Sequence, residues 1–217
     1  MPRAPDGSRW RSMENGSLVP PVTWLPDLGH PPGRVALTFD DGPCPPWTDR
    51  LLDVLARTGT PATFFVLGSL IAGREDRLRR MVRLGCAVQV HGWEHVRMTE
   101  QSPRERRRDI AATRRLICDV TGHRPRLVRP PEGRADRAVI EDILSMGMAP
   151  AFWSVHAADW TRPGRAEIVA RISPGLVDGA VVLLHDGGGE RDQTVGAVGP
   201  LVALLRERGL APVTLTP

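Results

Sequence analysis

The 217-residue sequence has no lysine, no tyrosine, only three cysteines and few aromatic residues. Each shortage narrows the reading. Without lysine, all the positive charge is arginine, and the formal net charge is +4 with a pI near 10.0. Ala, Gly and Pro are abundant alongside that arginine, which fits the coding bias of a GC-rich genome better than a nucleic-acid partner. Arg104 to Arg108 is interrupted by Glu105 at an expected helix start, so it reads as a solvated helix face. Cys44, Cys86 and Cys118 are odd in number and far apart, which argues against a disulfide framework and fits a reducing compartment. No stretch is long and apolar enough for a membrane span. Met1 to Pro21 lacks the apolar core of a signal peptide. The expected location is therefore the cytoplasm, with neither membrane nor nucleic acid as a partner.

What is present is a globular composition, 41% hydrophobic, in a chain long enough for one domain with a sizeable core. Residues 1–33 are rich in Pro, Gly and Ser and read as an irregular arm, with Trp10 and Trp24 available to lie across the domain. From residue 34 onward, apolar runs alternate with helical patterns. Strands are expected at 35–41, 62–67, 87–90, 126–129, 151–155, 180–184 and 212–215. Helices are expected at 47–58, 71–84, 103–120, 135–146 and 166–176, with a partly helical 194–208. Ser102-Pro103-Arg104-Glu105 is a capping box with proline at the first helical position. Gly187-Gly188-Gly189 reads as a mobile loop. This alternation predicts parallel strands with crossover helices, in an open sheet or a barrel.

The placement of unusual residues says more. Val35 to Phe39 favours a strand and ends in Asp40-Asp41-Gly42-Pro43. Two carboxylates there are costly to bury without a cation or partner. Strand alternation is expected to send them to opposite sides, so that one binds a metal while the other handles a proton. His91, Arg129, Asp159 and His185 also fall at or just after strand ends, the edge where α/β folds collect chemistry. His91 and His95, four apart, are expected on one face of a helical turn within reach of one metal. A carboxylate from another strand end would complete a His-His-Asp set with open coordination positions, as a catalytic zinc site requires.

Thr38-Phe39-Asp40-Asp41-Gly42-Pro43, His91-Gly92-Trp93-Glu94-His95, Arg129-Pro130-Pro131-Glu132-Gly133, Asp159-Trp160 and Leu183-Leu184-His185 follow one another along the chain. In that order they resemble the five motifs of the NodB-type polysaccharide deacetylases, carbohydrate esterase family 4. The resemblance implies a distorted (β/α) barrel with about seven parallel strands. It implies a divalent metal, with Zn2+ the expected ion, held by Asp41, His91 and His95. Asp40 would be the general base, oriented and kept ionised by Arg129. His185 would be the general acid, oriented by Asp159. The backbone N–H near Glu132, with the metal, would stabilise the oxyanion; Pro131, Glu132, Trp160 and Leu183 would bind the substrate, with Trp160 and Leu183 lining the acetyl pocket. The implied reaction is hydrolysis of the acetamide of an N-acetylated amino sugar or related small molecule, releasing acetate. An exported peptidoglycan or chitin-oligomer deacetylase, or a member repurposed for a non-hydrolytic biosynthetic step, are the alternatives. A silent sugar-binding domain would not need an acid–base pair.

Three departures lie around the site. Gly92 stands where the family usually has Ser or Thr, and the lost hydroxyl would ordinarily brace the loop. Glu132 replaces an aromatic residue, which turns an apolar groove wall acidic. His156 occupies a position often held by Asp and reads as a hydrogen-bonding neighbour of the site. Cys44 reads as a small packed residue rather than a nucleophile, and His30 and His123 as ordinary polar residues. Trp47 and Trp93 are compatible with core or rim.

Overall fold

The computed structural model describes residues 31–215, together with a two-residue antiparallel pairing of Arg11–Ser12 with Leu18–Val19. Apart from that pairing and residues 31–33, the rest of the expected arm lies outside the described residues, as do Trp10, Trp24 and His30. Eight strands form one parallel sheet. In chain order they are β1 (Arg34–Gly42), β2 (Thr63–Val66), β3 (Ala87–Val90), β4 (Leu127–Val128), β5 (Ala149–Pro150), β6 (Val155–His156), β7 (Val181–His185) and β8 (Ala211–Val213). The helices are α1 (Trp47–Thr58), α2 (Glu75–Arg83), α3 (Pro103–Thr121), α4 (Arg137–Ser145), α5 (Arg165–Ile172) and α6 (Asp192–Glu207).

The spatial order is β5-β4-β3-β2-β1-β7-β6, with β8 paired to β1. Ala36 is in register with both Val213 of β8 and Val181 of β7, and Thr38 with both Thr63 of β2 and Leu183 of β7. So β8 and β2 share one side of β1, end to end, and Leu215 N–H donates to Thr63 Oγ1 at 2.7 Å across their junction. The sheet curls as the distorted (β/α) barrel implied, and the edge strands β5 and β6 are not paired to each other. They take the place of the single strand expected over 151–155: Phe152 and Trp153 leave the ladder between them, while Ala151 N–H still donates to the Val128 carbonyl at 2.8 Å and Ser154 N–H to the Val181 carbonyl at 2.9 Å.

Side-chain parity explains the interior. Val35, Leu37, Phe39, Phe64, Val66, Val88, Val90, Val128, Val182 and Leu184 join a core under the helices. The alternate positions Ala36, Phe65, Leu127 and Val181 form a second, smaller cluster inside the curl. Helices cover the outer layer through one face each. In α1, Thr48, Leu51, Leu52 and Leu55 are buried, and Gly59 ends the helix in the left-handed conformation at φ 60°. The capping box of α3 forms as expected: Ser102 Oγ accepts from Glu105 N–H, and the Glu105 carboxylate accepts from Ser102 N–H. The second helix starts later than 71 because Gly68–Leu70 forms a separate 3-10 turn. Near 174, α5 ends at Ile172 and a 3-10 turn containing Pro174 follows.

Candidate active site

The inward parity of the central strands leads to one cavity. Asp40 follows Ala36 and Thr38 on β1, His91 follows Gln89 after β3, Arg129 follows Leu127 after β4, and His185 follows Val181 and Leu183 on β7. Asp40 and His185 are register partners on adjacent strands. The cavity has a volume of about 830 Å3, and Asp40, Asp41, His91, His95, His185 and Leu183 are among its lining residues.

Asp41 breaks the parity. By alternation it would point to the helix layer, away from Asp40. Instead the register shifts between Asp40 and Gly42, and Asp41 takes a φ of 72°. Both carboxylates consequently face the same cavity: His91 Nε2 lies 3.9 Å from Asp40 Oδ2 and 3.3 Å from Asp41 Oδ1. The two carboxylates still differ in partners. Arg129, with no exposed surface, donates from one nitrogen to Asp40 Oδ1 and to Thr38 Oγ1, each at 2.7 Å, and from the other to the Phe152 carbonyl at 2.8 Å. Its guanidinium also lies over the Phe65 ring at 4.0 Å.

Asp41, His91 and His95 bring one potential ligand atom each within 4.8 Å of one another. His91 Nδ1 lies 2.7 Å from the Arg129 carbonyl, which can only accept, so Nδ1 carries the proton and Nε2 presents its lone pair. That lone pair faces Asp41 Oδ1, itself buried with no hydrogen-bond partner among the described residues. His95 Nε2 is 3.4 Å from the same oxygen. One carboxylate and two imidazoles directed at one point suit a divalent ion. Without it, burial alone would lower the His91 pKa, but the Asp40 and Asp41 carboxylates outweigh burial and raise it. Burial would raise Asp41, and the facing imidazoles hold it well below the usual carboxylate range.

His91 to His95 is not the expected helical turn. Gly92 has a φ of 103°, which a side chain rarely tolerates, and the chain bends there. Bracing comes from elsewhere: the Gly92 carbonyl accepts from Gly68 N–H and from Thr113 Oγ1, each at 3.0 Å. The ring centroids of the two histidines end 5.4 Å apart.

Opposite stands His185. Its Nδ1 is 2.8 Å from Asp159 Oδ1, its backbone N–H donates to Asp159 Oδ2 at 3.0 Å, and Thr194 Oγ1 donates to that oxygen at 2.8 Å. This fixes the ring with Nε2 left for the cavity. Burial opposes charge on His185, but Asp159 prevails and its pKa is raised; burial would raise Asp159, and His185 brings it down. Trp160 stands T-shaped to the His185 ring and stacks on His156, with centroids 5.4 and 5.6 Å apart.

A model of the polysaccharide deacetylase family matches residues 28–151, more than half of the chain. The chain belongs to that family. A chitooligosaccharide deacetylase of Bradyrhizobium sp. is 38% identical over 81% of this chain and 85% of its own length. A peptidoglycan-N-acetylglucosamine deacetylase of Listeria monocytogenes is 35% identical over 84% of this chain, which spans only 38% of that protein. The structure of a family 4 carbohydrate esterase from Streptomyces lividans in complex with acetate superposes with a TM-score of 0.80 and 31% identity, covering 85% of this chain and 94% of that one.

Against the family pattern, Gly133, Trp153 and Trp160 line the cavity with Glu132, whereas Pro131 is buried beneath the rim and is not a lining residue. Glu132 sits at φ 56° in the 3-10 turn Pro131–Gly133 and accepts from Arg97 at 2.8 Å and Arg134 at 3.2 Å. Cys44 also lines the cavity. Burial and then Asp186 push its thiol pKa up, so it is not a poised nucleophile. Sequence reasoning passed over Thr38, Thr48, Thr194, Arg191 and Asp186. Arg191 is buried and donates to the carbonyls of Gly187 at 2.6 Å and Gly188 at 2.9 Å, so the glycine triplet expected to be mobile is anchored. Asp186 carried one signal, a carboxylate directly after an apolar strand. Burial pushes its pKa up to about 7, against the hydrogen bond from Thr48.

Proposed function

We propose that this chain is a metal-dependent N-deacetylase that hydrolyses the acetamide of an N-acetylated amino sugar. The observation that carries the reading is the pairing across one cavity of two independently oriented groups, Asp40 on Arg129 and His185 on Asp159, beside the Asp41, His91, His95 cluster. Asp41, His91 and His95 would hold the ion, with Zn2+ the proposed occupant. A bound divalent ion of this kind acidifies water to a pKa of roughly 7 and polarises a carbonyl.

The residues supply the rest. Asp40, paired with Arg129 at 2.7 Å, accepts a proton from the attacking water through the oxygen not held by the guanidinium. Water oxygen adds to the acetamide carbon, and the backbone N–H at Glu132 is the proposed donor to the resulting oxyanion. The C–N bond then breaks as His185 Nε2 gives its proton to the departing nitrogen, leaving acetate and a free amine. The raised His185 pKa keeps that proton available near neutral pH. Trp160, half-exposed beside His185, gives the sugar an apolar face to rest on, and Leu183 borders the acetyl methyl.

The relatives' names support a glycan substrate, while the expected cytoplasmic location favours a soluble acetamido sugar over wall polymer. Metal-loaded protein is to be incubated with chitin oligosaccharides, peptidoglycan fragments and monomeric N-acetylglucosamine conjugates, with acetate release as the readout. Release from at least one, abolished by chelation and restored by Zn2+, is expected. Full metal retention in both His91→Ala and His95→Ala would remove the metal assignment. Export of the native protein to the medium would overturn the cytoplasmic reading and favour a wall or chitin substrate.

A further inference from the structure

The reaction above makes no use of Asp186, a carboxylate with no exposed surface directly after His185. Its backbone N–H donates to the Asp40 carbonyl at 3.0 Å. Its Oδ2 accepts from Thr48 Oγ1 at 2.5 Å, and that hydroxyl oxygen accepts from Cys44 N–H at 2.7 Å. Oδ1 has no hydrogen-bond partner among the described residues. The carboxyl is pressed onto Gly42, where any Cβ would collide with it. Gly187, next in the chain, is packed equally close to the Asp41 carbonyl.

Asp41 is thus fixed from both sides. Asp186 bonds the residue before it and blocks the residue after it, while Gly187 covers its own carbonyl. A non-glycine residue at φ 72° persists only where its surroundings over-determine it. Thr48 ties the same carboxyl to the start of α1 and so to the Cys44 backbone that continues from Asp41-Gly42-Pro43.

We infer that Asp186 is a positioning residue which, with Thr48, fixes the Asp40–Asp41–Gly42 bulge and thereby turns the Asp41 carboxylate toward His91 and His95. The inference rests on the metal reading of that triad. Shape and one acceptor oxygen are what the role requires, and Asn supplies both.

The test is Zn2+ affinity of the metal-free full chain, measured by competition with a chelator at a temperature where circular dichroism shows every variant folded. Asp186→Ala is expected to weaken Zn2+ binding by roughly 10–100-fold, the usual effect of removing a group that supports a ligand. Asp186→Asn retains wild-type affinity, and Thr48→Val loses less than Asp186→Ala. A filler of core space would lower the melting temperature without moving the affinity. Folded Asp186→Ala with wild-type affinity overturns the inference, as does Asp186→Asn falling as far as Ala. If Asp186→Ala does not fold, Thr48→Val decides, and unchanged affinity there overturns it. A wild-type chain that binds no Zn2+ defeats the metal reading and this inference with it; a wild type that binds beside an unaffected Asp186→Ala defeats this one alone.

Discussion

At the floor of the cavity Arg129, Asp40, His91 and Asp159 are almost wholly buried, whereas at its rim Glu132, Trp160 and His95 face solvent. The floor is held by short, directional hydrogen bonds from strand ends. Arg129 bridges β1 to the segment after β5, and Asp159 bridges β7 to α6. The rim is held by ion pairs in water, with Glu132 between Arg97 and Arg134. Buried charges persist only with partners, so one substitution at the floor strands another group. Exposed pairs trade partners with water at little cost. Asp40, His91, Arg129 and Asp159 are the motif residues of the floor, and two of the departures from the family pattern, Glu132 and His156, lie at or beside the rim. The same chemistry can therefore be kept while the surface that meets the substrate is rewritten.

The largest effect is expected from splitting the two adjacent carboxylates. Asp40→Asn retains the shape and leaves Asp41, His91 and His95 in place, so metal content stays at the wild-type level. Turnover falls on the order of 10²–10⁴-fold, the usual worth of a positioned base. Asp41→Asn loses metal instead. Metal analysis paired with acetate release separates the two. A fully metallated Asp40→Asn with wild-type turnover would end the hydrolytic mechanism and bring forward the repurposed enzyme with a non-hydrolytic step.

Next comes the pH dependence carried by His185. Burial disfavours its charge, but the Asp159 hydrogen bond and carboxylate raise its pKa above the ordinary histidine value. A general acid must hold its proton, so kcat/KM falls as pH rises through that raised value. In Asp159→Asn the support is gone while burial remains, and the alkaline limb moves to lower pH with reduced kcat. The stability sign is the same: the raised pKa of His185 stabilises the fold below the unfolded value of 6.5, and the gain is lost as pH climbs through the folded one. An alkaline limb that stays put in Asp159→Asn would show that His185 is not the group being titrated.

Parity and capping made much of this readable before any coordinates. The helix at 47–58 and the capping box at Ser102 depend on residues within a turn of each other, and both form where expected. The inward placement of Asp40, His91, Arg129 and His185 follows from alternation along strands that the apolar runs announce. Alternation failed where distant backbone intervenes. Asp41 turns inward because of Asp186 and Gly187, residues nearly 150 positions away, and no local pattern encodes that contact. The strand expected at 151–155 became two short pairings because Phe152 spends its carbonyl on Arg129 rather than on the ladder. His91 to His95 had helical spacing, but the left-handed Gly92 and its carbonyl contacts to Gly68 and Thr113 make a bend. Thr194 gave no signal at all, since a threonine within the first turn of α6 acquires its role only through the packing of that helix against Asp159.

The smallest expected effect tests whether the rim is separable from the floor. Glu132→Gln keeps the side-chain shape and removes one negative charge from a cluster that also contains Arg97, Arg134 and Glu100. The site then becomes more positive at its mouth, while the backbone at position 132, the proposed oxyanion donor, is untouched. With a neutral chitin oligosaccharide, kcat should be unchanged and KM should move by roughly 2–5-fold, the range expected of an exposed charge contact. With an oligosaccharide bearing a carboxylate next to the acetamide, KM should fall, because Arg97 and Arg134 are no longer shared with Glu132. Raising the ionic strength to about 1 M shortens the screening length to about 3 Å and should erase the difference between the two substrates. A drop in kcat of tenfold or more, insensitive to salt, would place the Glu132 carboxylate with the catalytic floor and dissolve the division between the two regions.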